Sequence, residues 1–159
     1  LTLYCGANSR LRLPVRLPVA ADVALPDFPR SETAAPLATE QLRTGFARKT
    51  ITHDLVDGWT ELRLEDDGGQ LHYTGSGMSM DDGVTEVYRV RDGDPLSLQV
   101  KIERRLELQR GEWGVRLETV SVMTADATHF HLSHHLDAYE ANTRVFTRSS
   151  TRVIPRDMV

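Results

Sequence analysis

Apolar and polar residues alternate almost without interruption between Pro95 and Ile154. The clearest run extends from Leu96 to Gln109, where Leu96, Leu98, Val100, Ile102, Leu106 and Leu108 fall on one side. The residues between them are almost all polar or charged. Successive side chains of a strand point to opposite faces, so a period of two places one face in contact with a core and the other in water. The pattern therefore predicts long, half-buried antiparallel strands.

Residues that favour tight turns separate these runs. Asp57-Gly58, Asp66–Gly69, Asp92–Pro95 and Arg110-Gly111 supply positions that tolerate a positive φ, as short hairpins require. Between the turns we place strands at 48–56, 59–65, 70–74, 84–91, 96–109, 113–124, 128–138 and 143–153. Evidence for helix is confined to 39–47, where a turn or two is expected.

The length of the strand at 96–109 bears on the architecture. Fourteen residues at about 3.4 Å each would span roughly 48 Å, which exceeds the usual strand length. Arg104 interrupts the apolar alternation, so we expect a bulge or a coil there. The predicted fold is all-β: an antiparallel up-and-down meander that forms a strongly coiled sheet or a lipocalin-like barrel. A β-sandwich is the alternative.

Composition changes along the chain and predicts three parts. Residues 1–17 form a hairpin-like pair that would be the tail of a preceding domain, and residues 18–47 form a proline-rich connector held to a surface by Leu25, Phe28 and Leu37. Residues 48–159 form the antiparallel β domain. Because the chain begins at Leu1 within a strand-like run, we expect it to be a piece of a longer protein.

Charge and cysteine content narrow the possible partners and compartment. The 19 Lys and Arg against 23 Asp and Glu give a net charge of −4, so no global field would attract nucleic acid or an acidic membrane. No stretch approaches the ~20 apolar residues of a membrane span. Cys5 is the only cysteine, which excludes an internal disulfide and suits a reducing, cytoplasmic location.

The histidine-rich stretch at 128–135 is the strongest candidate for metal chemistry. On a strand, His129, His131 and His135 share one face, and histidines at i and i+2 can reach a common zinc ion. The other face carries Phe130 with other apolar residues, and His134 would point to that core side. A catalytic zinc site needs about three protein ligands and a second shell, and no partner is evident elsewhere. A polar strand face is the simpler interpretation, and no metal or cofactor is assigned.

Other features have structural interpretations that compete with chemical ones. Ser79 lies in a glycine-rich string, but Asp81 stands where a nucleophile elbow needs its last glycine, and no helix follows. A loop between strands explains that string better. Trp59 and Trp113 open strands after turns, where an aromatic ring closes the end of a barrel or lines a ligand mouth. No position combines a nucleophile, a base and an orienting group.

Two stretches resemble one family of large hydrolases. The first is Leu1–Arg16 followed by Ala24–Pro29. It resembles the end of the jelly-roll domain in proteins of the cocaine-esterase / NonD / X-Pro dipeptidyl-peptidase type. The second is similar to the extreme C-terminal region of the longer members of that family; it comprises Met123–His131, Leu136–Glu140, Val145–Arg148 and Ile154–Asp157.

This resemblance implies a parent protein with an α/β-hydrolase domain that carries Ser, Asp and His, followed by a jelly-roll domain. No catalytic motif of the family maps onto a residue of this chain, so no catalytic site is carried over. The first functional expectation is a non-catalytic C-terminal β domain that stabilises the parent, mediates oligomer contacts or shapes access to a distant active site. Its partners would be the hydrolase and jelly-roll domains of the same protein, or a second copy.

Two other functions stay open from the residues alone. A closed barrel would form a lipocalin-like module that binds a small apolar ligand in a pocket near Trp59 or Trp113. Alternatively, His129, His131 and His135 would support a zinc-dependent activity.

Overall fold

The computed structural model describes residues 15–23 and 28–157. Contacts divide the chain into two units, Leu1–Ala35 and Pro36–Val159. The predicted hairpin at 1–17 lies almost wholly outside the described residues, as do Cys5 and Leu25. Most of the first family phrase therefore also lies outside the described residues.

Within the first unit, the described part contains one short helix, α1 (Ala20–Val23). Asp22 is the third residue of this helix. Its carboxylate pairs with Arg16 and accepts a hydrogen bond from the Val19 backbone N–H at 2.8 Å. Phe28, one of the predicted anchors, is 95% exposed.

The second unit is one antiparallel sheet of eight strands. Strands β3 to β8 form an up-and-down meander in sequence order, and β1 and β2 both pair with β3, along different parts of its length. The bounds are β1 Thr39–Arg43, β2 Phe46–Asp54, β3 Trp59–Tyr73, β4 Met78–Arg91, β5 Asp94–Arg110, β6 Trp113–Ala125, β7 His129–Glu140 and β8 Thr143–Pro155.

One face of this sheet is apolar. Directly paired residues share a face, so the register defines rows of side chains that cross the sheet. One row runs over five strands as Leu62, Tyr88, Val100, Met123 and Leu132. Two further rows are Leu71–Met80–Leu108–Val115 and Leu106–Leu117–Ala138–Phe146. We call the side of the sheet that carries these three rows the apolar face.

The opposite side, the ion-pair face, carries the charged residues that alternate with those rows. One row crosses it as Gln70, Asp81, Glu107, Arg116 and Tyr139. Most ion pairs of the described strands lie on this face, within or between neighbouring strands. Examples are Arg63–Glu65, Arg105–Glu107 and Arg116–Glu118. The face is a solvated surface. Because these ion pairs are exposed, they contribute little to stability.

The predicted antiparallel up-and-down sheet is confirmed. It is an open sheet, because the edge strand β8 pairs only with β7, and β1 and β2 pair only with β3. The predicted helical turn at 39–47 is wrong, since Thr39–Arg43 and the start of β2 are strand. Pairing with β3 satisfies the backbone of this segment and outweighs the weak helix propensity of Glu40 and Gln41. Leu37, another predicted anchor, is 76% exposed just before β1.

Two predicted irregularities are misplaced. No register shift occurs at Arg104, which lies in a continuous ladder opposite Val84 and Thr119. Its side chain pairs with Asp82 at 3.5 Å, and this ion pair explains a charged residue among apolar neighbours. In contrast, the predicted turn at 66–69 is a bulge inside β3, which continues from Trp59 to Tyr73.

Glycines make this bulge sterically feasible. Gly68 is the unpaired extra residue, and at the same level the edge of the sheet passes from β2 to β1. A Cβ on Gly69 would lie 2.3 Å from the Arg43 carbonyl oxygen, and one on Gly45 would lie 2.1 Å from the Asp67 carbonyl oxygen. Gly69 also has a φ of 76°. Only glycine accommodates both the left-handed backbone and this close approach.

Gly69→Ala is expected to destabilise the sheet by more than about 2 kcal/mol, because it adds a backbone clash to a left-handed conformation. Denaturant unfolding of the chain measures this difference. Gly75→Ala is the matched control: Gly75 has open space around it and no positive φ. It should change the free energy of unfolding by less than about 0.5 kcal/mol. Equal effects of the two substitutions would contradict the bulge.

Candidate functional site

The three histidines of the predicted zinc site share the ion-pair face of β7, as the alternation requires, but they do not converge. The rings of His129 and His131 have centroids 6.4 Å apart. His135 lies four residues beyond His131, or roughly 14 Å along a strand at about 3.4 Å per residue. Within the described part of the chain, no three His, Cys, Asp or Glu side chains are grouped so as to hold a metal ion. The zinc activity therefore stays a prediction without a geometry that favours it.

Every histidine of the chain has a local hydrogen-bond partner. Four of the six lie directly opposite a Ser or Thr on the neighbouring strand, and in each case Nδ1 lies 2.8–3.0 Å from the hydroxyl oxygen. These pairs are His53–Thr60, His72–Ser79, His134–Ser121 and His135–Ser149. His129 and His131 are instead bound at the turn between β6 and β7. The recurrence of one cross-strand pair explains the histidines structurally.

One of these pairs resembles a catalytic triad in composition. His135 lies 2.8 Å from Ser149 Oγ through Nδ1 and 3.2 Å from Asp137 Oδ2 through Nε2. The same carboxylate lies 3.5 Å from Arg144 Nη1. A catalytic serine also needs preorganised donors where the oxyanion forms, in a site that excludes water. These residues lie instead on an open strand face, and the contact between a histidine and a hydroxyl group is repeated at three other places in the sheet, twice with Ser and once with Thr.

The other residues singled out from the sequence, Ser79, Trp59 and Trp113, occupy structural positions in the sheet. Ser79 lies inside β4 and pairs with His72, so the glycine-rich string ends in a strand and not in the predicted loop. Trp59 lies under the guanidinium of Arg89, 4.8 Å from its Cζ, and Trp113 is 44% exposed. Neither tryptophan closes a barrel, because the sheet is open. A groove of about 360 Å³ is lined in part by Phe46 and Arg105 and contains neither tryptophan.

The most buried charged group belongs to a cluster that the sequence did not reveal. Asp81 is 7% exposed and lies between two arginines on the ion-pair face. Its carboxylate accepts hydrogen bonds from Arg43 at 2.9 and 3.0 Å and from Arg105 at 2.8 Å. Arg43 also pairs with Asp67 at 2.8 Å, and this contact is the main reason that the pKa of Asp67 is lowered. The cluster ties β1 to β3, β4 and β5 at the level of the bulge.

A second polar cluster fixes the turn between β6 and β7. Asp126 accepts hydrogen bonds from the backbone N–H groups of Thr128 and His129 and from the Thr128 hydroxyl, and its other oxygen lies 2.7 Å from His131 Nε2. The hydrogen bond from His131, followed by those from Thr128 and His129, holds the pKa of Asp126 well below its ordinary value. The sequence Asp-x-Thr is the available signal, since aspartate side chains bind the backbone two residues on.

This turn brings two pieces of the second family phrase together, residues 123–131 and 154–157. Arg156 donates a hydrogen bond to the Asp126 carbonyl oxygen at 2.9 Å, and its guanidinium lies 5.2 Å from the Phe130 ring centre. Its backbone N–H also bonds the Thr128 carbonyl oxygen at 2.8 Å. The other two pieces, 136–140 and 145–148, lie towards the opposite ends of β7 and β8, where these strands pair with each other.

The apolar face is the feature that these contacts leave unexplained. Among the residues whose burial is described, no hydrophobic side chain is buried; only Gly69 and Asp81 are. The residues of the apolar rows are half-buried by their own neighbours, and Phe146 on the edge strand is exposed. Among the described residues this single sheet has no second layer to pack on, although stable domains bury such a face. We therefore identify the apolar face as the candidate functional surface.

No protein-family model, curated protein or solved structure matches this chain. The likeness to the cocaine-esterase type of hydrolase thus rests on the two sequence phrases.

Among the described residues, no helix has the length and hydropathy needed to cross a membrane.

Asp81→Asn should destabilise the chain by about 1–2 kcal/mol. The substitution weakens three charge-assisted hydrogen bonds and removes the negative charge that offsets the positive charges of two arginines. The half-exposed arginines keep this below the cost of breaking a fully buried pair. Asp82→Asn is the control, since Asp82 makes one long, exposed contact with Arg104. It should cost less than about 0.5 kcal/mol. Urea unfolding of both variants measures the difference, and equal losses would contradict a central role for Asp81.

Asp126→Asn should lower the melting temperature at neutral pH. Because the folded pKa of Asp126 lies below its ordinary value of 3.8, the ionised carboxylate stabilises the fold above that value. Its contribution falls as the pH drops through the folded pKa. The difference in melting temperature between wild type and variant should therefore narrow as the pH falls below 3.8. Thermal unfolding followed by circular dichroism measures it.

Asp157→Asn is the control for this titration, since Asp157 has no side-chain hydrogen bond among the described residues. It should shift the melting temperature little at any pH. A difference in melting temperature between wild type and Asp126→Asn that grows as the pH falls below 3.8 would have the wrong sign. It would contradict the proposed hydrogen bonds of Asp126.

Proposed function

We propose that this chain is a non-catalytic, assembly-forming β domain of a longer serine hydrolase of the acyl-esterase or X-Pro dipeptidyl-peptidase type. Its role is to cover and stabilise a neighbouring protein surface through the apolar face. The observation that carries the proposal is that the eight strands bury no hydrophobic side chain among the residues whose burial is described. The two family phrases support the proposed identity of the parent.

The exposed area supports an assembly role. The chain exposes 13315 Å². A compact monomer of 17.9 kDa exposes roughly 8,000 Å² by the usual scaling of area with mass. The described part of the connector is exposed, and the single sheet leaves both of its faces uncovered among the described residues, so both contribute to the excess.

The chemistry of the polar residues supports a non-catalytic role. The histidines bind hydroxyl groups across strands or the Asp126 turn, and Asp81 binds arginines. These groups satisfy one another, whereas a catalytic site directs polar groups towards the place that a substrate occupies. The parent's serine nucleophile would lie in its hydrolase domain. With one cysteine in the sequence, we place the protein in the cytoplasm.

An activity assay tests the non-catalytic assignment. The purified chain is incubated with p-nitrophenyl acetate, p-nitrophenyl butyrate and an X-Pro p-nitroanilide. We expect the rates with wild type and with Ser149→Ala to equal each other and the rate without protein. Turnover by wild type that Ser149→Ala abolishes would overturn the proposal and would identify the Ser149–His135–Asp137 constellation as catalytic.

A further inference from the structure

The charges on the apolar face are arranged so that a second copy of this chain would complement them. Strand β6 lies midway between β4 and β8, two strands away from each. A twofold axis parallel to β6 would therefore place β4 of one copy over β8 of the other, and the reverse. Two sheets stacked in this way lie about 10 Å apart and bury their facing side chains.

The charged residues on the apolar face have opposite signs at these two strands. Glu86 lies on β4, and its carboxylate accepts a hydrogen bond from Tyr88 at 2.6 Å. Arg148 and Arg152 lie on the same face of β8. None of these three residues forms an ion pair within residues 15–23 and 28–157. The acidic and basic positions are too far apart to meet within one flat sheet, at four strand spacings of about 4.8 Å.

The register aligns these charges between two copies. Glu86 belongs to the row that continues through Ile102, Ser121, His134 and Ser150. Arg148 and Arg152 lie two residues before and after Ser150, so they flank this row by about 7 Å on each side. The twofold operation keeps the row and exchanges β4 with β8. Glu86 of one copy then falls between Arg148 and Arg152 of the other, and this pairing occurs twice.

We infer that the chain forms a twofold dimer through its apolar face, a two-layer sandwich with β6 next to the axis and Glu86 paired with Arg148 and Arg152 across the interface. The inference deepens the proposed assembly role by naming the occupant of the face. In an isologous interface every contact occurs twice. If one residue of the first copy contacts a second residue of its partner, the same two residues also meet with the copies exchanged. Complementary charges fix the register, and the apolar rows supply the buried area.

Charge-swap variants test this arrangement by sedimentation equilibrium. Wild type should sediment as a dimer. Glu86→Arg alone, and Arg148→Glu with Arg152→Glu, should each weaken dimerisation about tenfold or more, because like charges then face each other. The triple variant with all three substitutions restores opposite charges and should regain most of the affinity. Failure of the triple variant to recover dimerisation would overturn the arrangement.

A substitution near the axis tests the face itself. Leu117→Glu places a charge on the apolar face of β6, next to its own counterpart, and should yield monomers. Val122→Glu places the same charge on the ion-pair face of that strand and should leave the dimer intact. Circular dichroism verifies that both variants retain their strands. A monomeric wild type would overturn the inference, while the activity assay would still decide the proposed function.

Discussion

The burial of one apolar sheet face is the constraint on which the structure of this protein depends. Hydrophobic side chains in rows such as Leu62–Tyr88–Val100–Met123–Leu132 stabilise a fold only when water is removed from them. The strands follow one another in a single layer, so their neighbours cover these side chains only in part. In the proposed assembly the missing layer comes from another protein surface, so the fold and the proposed function have the same physical origin.

Polar contacts have a different part in this molecule. The Asp81 cluster and the Asp126 turn hold strands in register where the ladder is irregular, at the Gly68 bulge and at the end of β6. They give position and specificity more than net stability, because half-exposed charges gain little from pairing. This explains why residue types usually associated with catalysis are frequent here in structural positions.

The open edge of β8 adds to this picture. Its residues are exposed throughout, and arginines recur along it at 144, 148 and 152. Charged side chains on an edge strand oppose uncontrolled pairing with other strands. Arg148 and Arg152 lie on the apolar face, where they would also select an acidic counterpart. These two residues thus help both to protect the edge from aggregation and to cover the apolar face.

The sequence by itself determined the strands, most turns and the division into two faces, because side-chain alternation is local and survives any packing. It misplaced the bulge at Gly68 and the helical turn at 39–47, since pairing of β1 and β2 with β3 is a long-range effect. It also could not show that the histidines meet hydroxyl groups, which depends on cross-strand register. Only the tertiary structure decided that the sheet stays open, because closure requires the first and last strands to meet and no local pattern encodes that distance.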